Sequence, residues 1–284
     1  MRVLICTDGS PSSEQAAALI GRLSLATTGE VTILAVREHR EEQGQLTAAL
    51  QRMQADLGGP RPGLQTRIVV GNPAEMILLE VEEHPCDLVV VSAHGRRGLT
   101  RFKTGTTTGR LARELHLPLL VARHVPDQVR RILICTGAEL PSMETLRVGG
   151  QLASHGSAEL TLLHVMSQIA LQPESTADEL FASAEGAMES GTREGLHFKE
   201  AIRILRDMGV TAKITPRLRH GLVVDEILSE LDEGDYDLLA IGAHRRPGLT
   251  RWLEIMLDDV AEQLLAHAPC SVLVVRPGDR PETI

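Results

Sequence analysis

Aromatic side chains are scarce in this sequence. Phe, Trp and Tyr make up 2% of the 284 residues, whereas hydrophobic residues as a whole make up 43%. Any core must therefore be aliphatic, and a chain of this length suits two domains of ordinary size. The few stacking rings and the formal net charge of −9 argue against a nucleic-acid-binding surface, and the same charge disfavours contact with an anionic membrane.

Long apolar runs and clustered cysteines are also missing. No run reaches the length that spans a bilayer, and Met1–Thr7 shows no signal-peptide pattern, so we expect a cytoplasmic protein. The four cysteines are too dispersed for a disulfide framework. Cys6 and Cys135 fit buried strand positions, and Cys86 leaves room for weak thiol reactivity. The 11 histidines show no metal-ligand spacing, so we assign no metal site.

The sequence contains an internal repeat. Three segments return: Arg2–Thr7 as Arg131–Thr136, Glu30–Val36 as Glu159–Val165, and Ser92–Arg101 as Gly242–Arg251. The second copy carries extra residues, within which Ser175–Asp207 predicts one long amphipathic helix. The segment His124–Arg130 predicts a short linker between the copies.

Short apolar runs predict five strands in each copy. They cover 2–7, 31–36, 66–70, 87–92 and 117–122, and then 131–136, 160–165, 213–218, 237–242 and 271–275. Helical patterns lie between them, for example Glu14–Leu25, Ala74–Glu83 and Thr106–Leu115, with Ser10 and Asn72 as predicted N-caps. Strands without polar alternation between helices predict an α/β fold with a doubly wound, five-stranded parallel sheet of Rossmann-like or flavodoxin-like type, in the order 3-2-1-4-5.

The expected ligand site lies where the winding direction of such a sheet reverses, between strands one and four. The loops at that point are Thr7–Ser10 and Ser92–Gly95. The second loop leads through a basic segment into Gly105–Gly109, whose glycines, hydroxyls and helix N-terminus suit a phosphate. A Gly/Thr-rich turn that only caps a helix fits these residues about equally well.

The spacing of this loop resembles the universal stress protein family, in its tandem form, and the resemblance extends over nearly the whole chain. ATP-binding members of the family carry Gly-x-x-Gly, nine residues, and Gly-Ser/Thr. Gly95, the nine residues Arg96–Thr104, and Gly105-Thr106 fit this pattern, with Ser92 in place of the first glycine.

Two further positions carry a role over from the family. Asp8 matches an aspartate that contacts the nucleoside, and Val36 matches a position whose backbone meets adenine. The turn Val70–Pro73 is also similar to the family's. The resemblance implies a site for ATP, with Mg²⁺ arriving on the phosphates, formed by Thr7, Asp8, Val36, Ser92, His94, Gly95, Arg96, Gly105, Thr106 and Thr107.

The resemblance also implies two units, 1–124 and 130–277. Family members pair through their last strands, so we expect 117–122 to pair with 271–275 as an intramolecular pseudo-dimer, with a homodimer of two chains left open. The second copy departs from the nucleotide motif, because Gly137 replaces Asp8, and Arg245, Ile255 and Met256 replace Gly95, Gly105 and Thr106. We therefore expect no ATP binding of the family type in the second half.

The favoured function is a binding module that holds ATP in the first half and uses its occupancy as a switch in the stress response. The chain has no Walker A lysine and no other catalytic motif, so no catalytic residue is assigned. Slow ATP hydrolysis, with Asp8 positioning a water, stays open. The alternatives are an enzyme of related fold and a scaffold that has lost nucleotide binding.

Overall fold

The computed structural model describes residues 1–25, 29–38, 43–93, 106–137, 142–154, 158–166, 183–243 and 260–276. Strands and helices alternate through the first half. They are β1 (Arg2–Thr7), α1 (Pro11–Arg22), β2 (Glu30–Arg37), α2 (Gln43–Asp56), β3 (Leu64–Val70), α3 (Pro73–Glu83), β4 (Leu88–Ser92), α4 (Thr106–Glu114) and β5 (Leu119–Ala122).

The second half repeats this order with one additional helix. Its elements are β6 (Arg131–Cys135), α5 (Ser142–Ser154), β7 (Glu159–Met166), α6 (Ala184–Ser190), α7 (Arg193–Asp207), β8 (Ile214–His220), α8 (Val223–Gly234), β9 (Leu238–Gly242), the helical residues 260–267, here called α9, and β10 (Ser271–Val275). None of the helices in the described ranges combines the length and apolarity that a bilayer span requires.

All ten strands form one sheet in the order β3-β2-β1-β4-β5-β10-β9-β6-β7-β8. Each half therefore has the predicted order 3-2-1-4-5, with parallel pairing inside the half. The halves join through β5 and β10, which pair antiparallel with Leu120 opposite Leu273. The predicted intramolecular pseudo-dimer is thus confirmed, and its approximate twofold axis passes between these two leucines.

Side chains alternate across the sheet and build two aliphatic layers. On β1, Val3 and Ile5 belong to the layer on one face, and Leu4 and Cys6 belong to the layer on the other. Helices cover both faces, as right-handed crossovers between parallel strands require. The layers run through both halves, so the two halves share their apolar core.

The predicted helix Ser175–Asp207 is wrong for the part of it that the structure describes. Helix α6 ends at Ser190, and Gly191 follows in the left-handed conformation at φ +68°. Thr192 then starts α7 afresh, since its side chain accepts a hydrogen bond from the Gly195 amide at 3.2 Å. A glycine that can adopt positive φ, followed by a capping threonine, splits the amphipathic pattern into two helices. Residues 175–182 lie outside the described ranges.

Candidate functional site

The end of β1 is a turn held by side-chain hydrogen bonds. Asp8 Oδ1 accepts from the Ser10 amide at 3.0 Å and from the Ser10 hydroxyl at 2.6 Å. Gly9 between them has φ +75°, a conformation that glycine adopts without strain. Ser10 is also the N-cap of α1, as predicted, and its hydroxyl accepts a hydrogen bond from the Ser13 amide. The Asp8 carboxylate is therefore fixed in position at the carboxyl edge of the sheet before any ligand arrives.

Thr7 lies inside this turn. Its side chain is buried, its hydroxyl shares a 2.6 Å hydrogen bond with Ser13, and it accepts from the Gly9 amide at 3.0 Å. The Thr7 hydroxyl thus shapes the loop that presents Asp8. Composition alone did not single out Ser13. The run Ser10-Pro11-Ser12-Ser13 directly after a strand is the signal that points to it.

Val36 and Ser92 lie at the carboxyl ends of the strands on either side of β1, Val36 one residue before the end of β2 and Ser92 as the last residue of β4. Val36 is buried in β2 and lies opposite Val69 of β3. Ser92 is the last residue of β4, which pairs with β1 on its other side. Because the ends of parallel neighbouring strands meet at one edge of a sheet, Thr7, Val36 and Ser92 share the edge that the sequence predicted.

Helix α4 begins next to the end of β4. It opens at Thr106, and the Thr108 hydroxyl donates a long 3.5 Å hydrogen bond to the Ser92 carbonyl. Thr107 is half-buried. The first turn of α4 contains no acidic residue, whereas α1 and α3 carry Glu14 and Glu75 there. The positive end of the α4 dipole is therefore not offset by a carboxylate of its own first turn.

The central part of the predicted phosphate loop lies outside the described residues. The residues His94, Gly95, Arg96 and Gly105 belong to this part of the loop. The second-half motif also lies outside the described residues from His244 onward. The described residues of the predicted site are Thr7, Asp8, Val36, Ser92 and Thr107, together with the backbone of Thr106.

The corresponding edge of the second half has different chemistry. Strand β6 ends at Cys135, and Thr136 and Gly137 follow where the first half has Thr7 and Asp8. The Thr136 hydroxyl is hydrogen-bonded to Nε2 of His197 on α7, and Nδ1 of His164 on β7 lies 2.8 Å from the Thr136 carbonyl oxygen. Two imidazoles therefore flank the residue that matches Thr7. Sequence reasoning missed this cluster.

The rings of His164, His197 and Phe198 form one group. Their centroids are 6.3–6.4 Å apart, and Phe198 is fully buried. Partial burial lowers the pKa of His197, and the neighbouring His164 and Arg193 lower it further. The His197 ring is thus held preferentially in its neutral form.

The four cysteines are free thiols in environments that oppose ionisation. Burial raises the pKa of Cys86 to about 11 and that of Cys270 to about 12, and it also raises the pKa values of Cys6 and Cys135. A thiol reacts through its thiolate, so burial keeps these side chains unreactive at neutral pH. They act as small apolar groups of the core.

Comparison with known proteins gives this doubly wound tandem fold a family. The sequence profile of the Universal stress protein family matches residues 1–123 and again residues 128–276. The two matches together span most of the chain. The protein therefore belongs to the universal stress protein family and is a tandem member of it.

Individual relatives agree with this assignment. The chain is 27% identical over 168 residues to universal stress protein MJ0531 of Methanocaldococcus jannaschii, a match that covers 58% of this chain and 93% of that protein. The crystal structure of a universal stress protein from Archaeoglobus fulgidus superposes with a TM-score of 0.68 at 16% identity, covering 98% of each chain. The protein PA1789 of Pseudomonas aeruginosa, described as functionally unknown, gives 0.68 at 17% identity, covering 98% of this chain and 93% of that one. At such identities the solved structures support the fold alone.

Proposed function

We propose that the first half holds an adenine nucleotide, ATP with its Mg²⁺, at the carboxyl ends of β1, β2 and β4, and that its occupancy acts as a switch in a stress response. In this proposal the unit 1–124 binds ATP, and the unit 130–277 does not bind ATP in the manner of the family. Membership of the universal stress protein family supports a nucleotide ligand, and the rest of the case depends on the residues of the first half.

The observation that carries the proposal is the fixed Asp8 carboxylate. Ser10 holds Oδ1 with two hydrogen bonds, so the side chain is oriented for a ligand at the sheet edge. A carboxylate in such a place accepts hydrogen bonds from neutral hydroxyls, as a ribose offers, and repels phosphate. These properties of the carboxylate support a pose with the sugar at Asp8 and the phosphates away from it.

The start of α4 suits the phosphates. Its first turn carries threonines and no acidic side chain, and it is tied to the end of β4 by the hydrogen bond from Thr108 to Ser92. These groups favour anionic oxygens. Mg²⁺ would come bound to the phosphates and would neutralise part of their charge, because this ion keeps several of its waters and is bound largely through phosphate oxygens.

The test is calorimetric titration of MgATP into the nucleotide-free full chain and into two variants that copy the second half. We expect one site per chain. Asp8→Gly should weaken binding by about 10-fold to 100-fold, the usual range for losing a hydrogen bond to a charged group. Gly95→Arg should abolish binding, since a long side chain then stands where backbone must approach phosphate.

Gly137→Asp is the matched control, because it makes the reverse change in the second half and should leave stoichiometry and affinity unchanged. If both first-half variants bind as tightly as the natural chain, the site is elsewhere. If the natural chain shows no binding at several temperatures and purifies free of nucleotide, a scaffold is the correct function.

A further inference from the structure

The histidine cluster of the second half occupies the position that matches the nucleotide edge of the first half. Thr136 is its centre, with its hydroxyl hydrogen-bonded to His197 and its carbonyl oxygen accepting from His164. Thr136 directly follows β6, and the two histidines lie on β7 and α7, so the cluster connects one helix to the ends of two neighbouring strands. No part of the proposed nucleotide site uses these side chains.

The hydrogen bonds determine where a proton can bind. A carbonyl oxygen only accepts, so Nδ1 of His164 carries the hydrogen, and Nε2 is the atom that gains a second proton. Nε2 of His197 faces the Thr136 hydroxyl, which can donate to it or accept from it. The neutral cluster is therefore satisfied at both contacts with Thr136.

Added charge is poorly tolerated at this place. In the described ranges, the titratable and charged groups that face His197 are Arg193 and Glu194 on α7 and His164 on β7. Of these, Arg193 and His164 both disfavour a positive charge on His197. The His197 ring also packs beside the fully buried Phe198. A protonated His197 thus loses hydration beside the Arg193 guanidinium, with the His164 ring centroid 6.4 Å from its own.

We propose that this cluster is a proton-binding site that loosens α7 from β6 and β7 when the pH falls. Helix α7 presents His197 to the strand ends and buries Phe198, Ala201 and Leu205 in the core. Charging the rings acts at the start of this helix, where α7 meets the sheet edge. The second half then responds to protons at the edge where the first half is proposed to respond to a nucleotide.

The direction of the effect follows from proton linkage. The pKa of His197 is lowered in the folded protein, so the unfolded or locally opened chain binds the proton more tightly. The stability that the folded protein gains from keeping His197 neutral is fully present well above the ordinary histidine pKa of about 6.5. It is lost progressively as the pH falls below that value and through the lower folded pKa. Within this window the opening equilibrium rises by up to about tenfold per pH unit for one proton.

Amide hydrogen exchange of the full chain between pH 7.5 and 5.5 tests the proposal, after correction for intrinsic exchange rates. We expect exchange in 193–207 to accelerate relative to α1 as the pH falls. His197→Gln keeps a polar side chain without a titrating group and should remove most of this acceleration. His116→Gln, at an exposed histidine of the first half, is the matched control and should behave like the natural chain.

A measurement on the natural chain covers the case in which His197→Gln fails to fold. The proton resonances of the His197 ring, followed by NMR against pH, should titrate below the exposed His116. Titration of His197 at or above the pH of His116, or an exchange rate in 193–207 that does not depend on pH, overturns the proposal. Exchange that accelerates equally in the natural chain and in His197→Gln overturns it as well.

Discussion

In the first half, β1 leads into a carboxylate that a serine holds in place, whereas in the second half β6 leads into a glycine with two imidazoles beside it. The threonine before each of these residues is buried in both halves. It bonds Ser13 on α1 in one half and His197 on α7 in the other. The same backbone position therefore contacts a different helix in each half, and the second half has an additional helix in the region that supplies His197.

At the junction between the halves, in contrast, both halves use the same kind of contact. Arg123 follows β5 and donates to the carbonyls of Leu265 and Ala268 at the end of α9. Arg276 follows β10 and donates at 2.9 Å to the carbonyl of Ala112 near the end of α4. Each arginine crosses the junction to the last turns of the other half's helix, where cations are favoured.

The comparison separates two kinds of constraint. Among the described residues, the arginine contacts across the junction occur twice, on either side of the pairing of Leu120 with Leu273. The side-chain contacts described at the carboxyl ends of β1 and β6 differ between the halves. The described contacts across the junction are thus similar in the two halves, whereas the side chains at the two carboxyl edges differ.

Each half contains a buried glutamate that pairs with an arginine of an edge strand. We expect the largest loss of stability when the arginine of such a pair is removed. Glu230 on α8 is buried, accepts from Arg219 of β8 at 2.7 Å, and also accepts from the Tyr236 hydroxyl. Arg219→Met would leave this carboxylate buried without its cation, so we expect the free energy of unfolding to fall by about 3 kcal/mol. Urea denaturation at neutral pH measures it.

The first half supplies a weaker version of the same pair. Glu80 is buried on α3 and accepts from Arg67 of β3 at 2.8 Å, but Arg67 is more exposed, at 35% against 21% for Arg219. Arg67→Met should therefore have a smaller effect. Arg203→Met is the control, because Arg203 pairs with two carboxylates on the surface, where solvent screens the charges, and its loss should change the free energy of unfolding little. Equal losses for Arg203→Met and Arg219→Met would contradict the argument from burial.

The second prediction concerns the two arginines at the junction. Arg123→Ala should lower the free energy of unfolding by about 2 kcal/mol, because two carbonyls at the end of α9 lose a charged donor. Arg276→Ala should give a loss of similar size, since its position is related to that of Arg123. Differential scanning calorimetry of both variants checks this. A loss for one variant and none for the other would show that the junction is not symmetric in energy.

Much of this fold could be predicted from the sequence because its signals are local. The ten apolar runs predicted the strands to within a few residues, and Ser10 and Asn72 cap their helices as expected. The alternation of strands and helices then predicted the strand order, and the resemblance to the family predicted the pairing of the halves. The break at Gly191 was missed because an amphipathic pattern continues across it, and only the left-handed conformation of one residue separates α6 from α7.

The side-chain clusters could be predicted only in part. Asp8 was found because it directly follows a strand and matches a family position. The link between His164 and His197 has no spacing signal, since the two residues meet only after β7 and α7 pack together. Glu80 and Glu230 look like solvated helix positions in the sequence, and their burial depends on arginines from another element. The sequence pattern therefore does not predict side-chain contacts between segments that are distant along the chain.

The smallest effect should come from exchanging the starts of two equivalent helices. Asn72 caps α3 by accepting from the Ala74 and Glu75 amides, whereas Leu222 begins α8 without a side-chain cap. The backbones agree closely, with φ −67° and ψ 127° at Asn72 and φ −75° and ψ 126° at Leu222. Leu222 is also 63% exposed, so its side chain adds little to the core.

An asparagine placed at Leu222 would therefore find the geometry already suited to capping. We expect Leu222→Asn to raise the free energy of unfolding by up to about 1 kcal/mol, and Asn72→Leu to lower it by about 1 kcal/mol, as measured by urea denaturation. The double variant should be close to the natural chain, because the two sites lie far apart in the sheet and should act additively. Stabilisation by Leu222→Asn would show that the second half gave up the cap without changing its backbone. No change would mean that the first turn of α8 is already satisfied by solvent, and the missing cap would then have no energetic consequence.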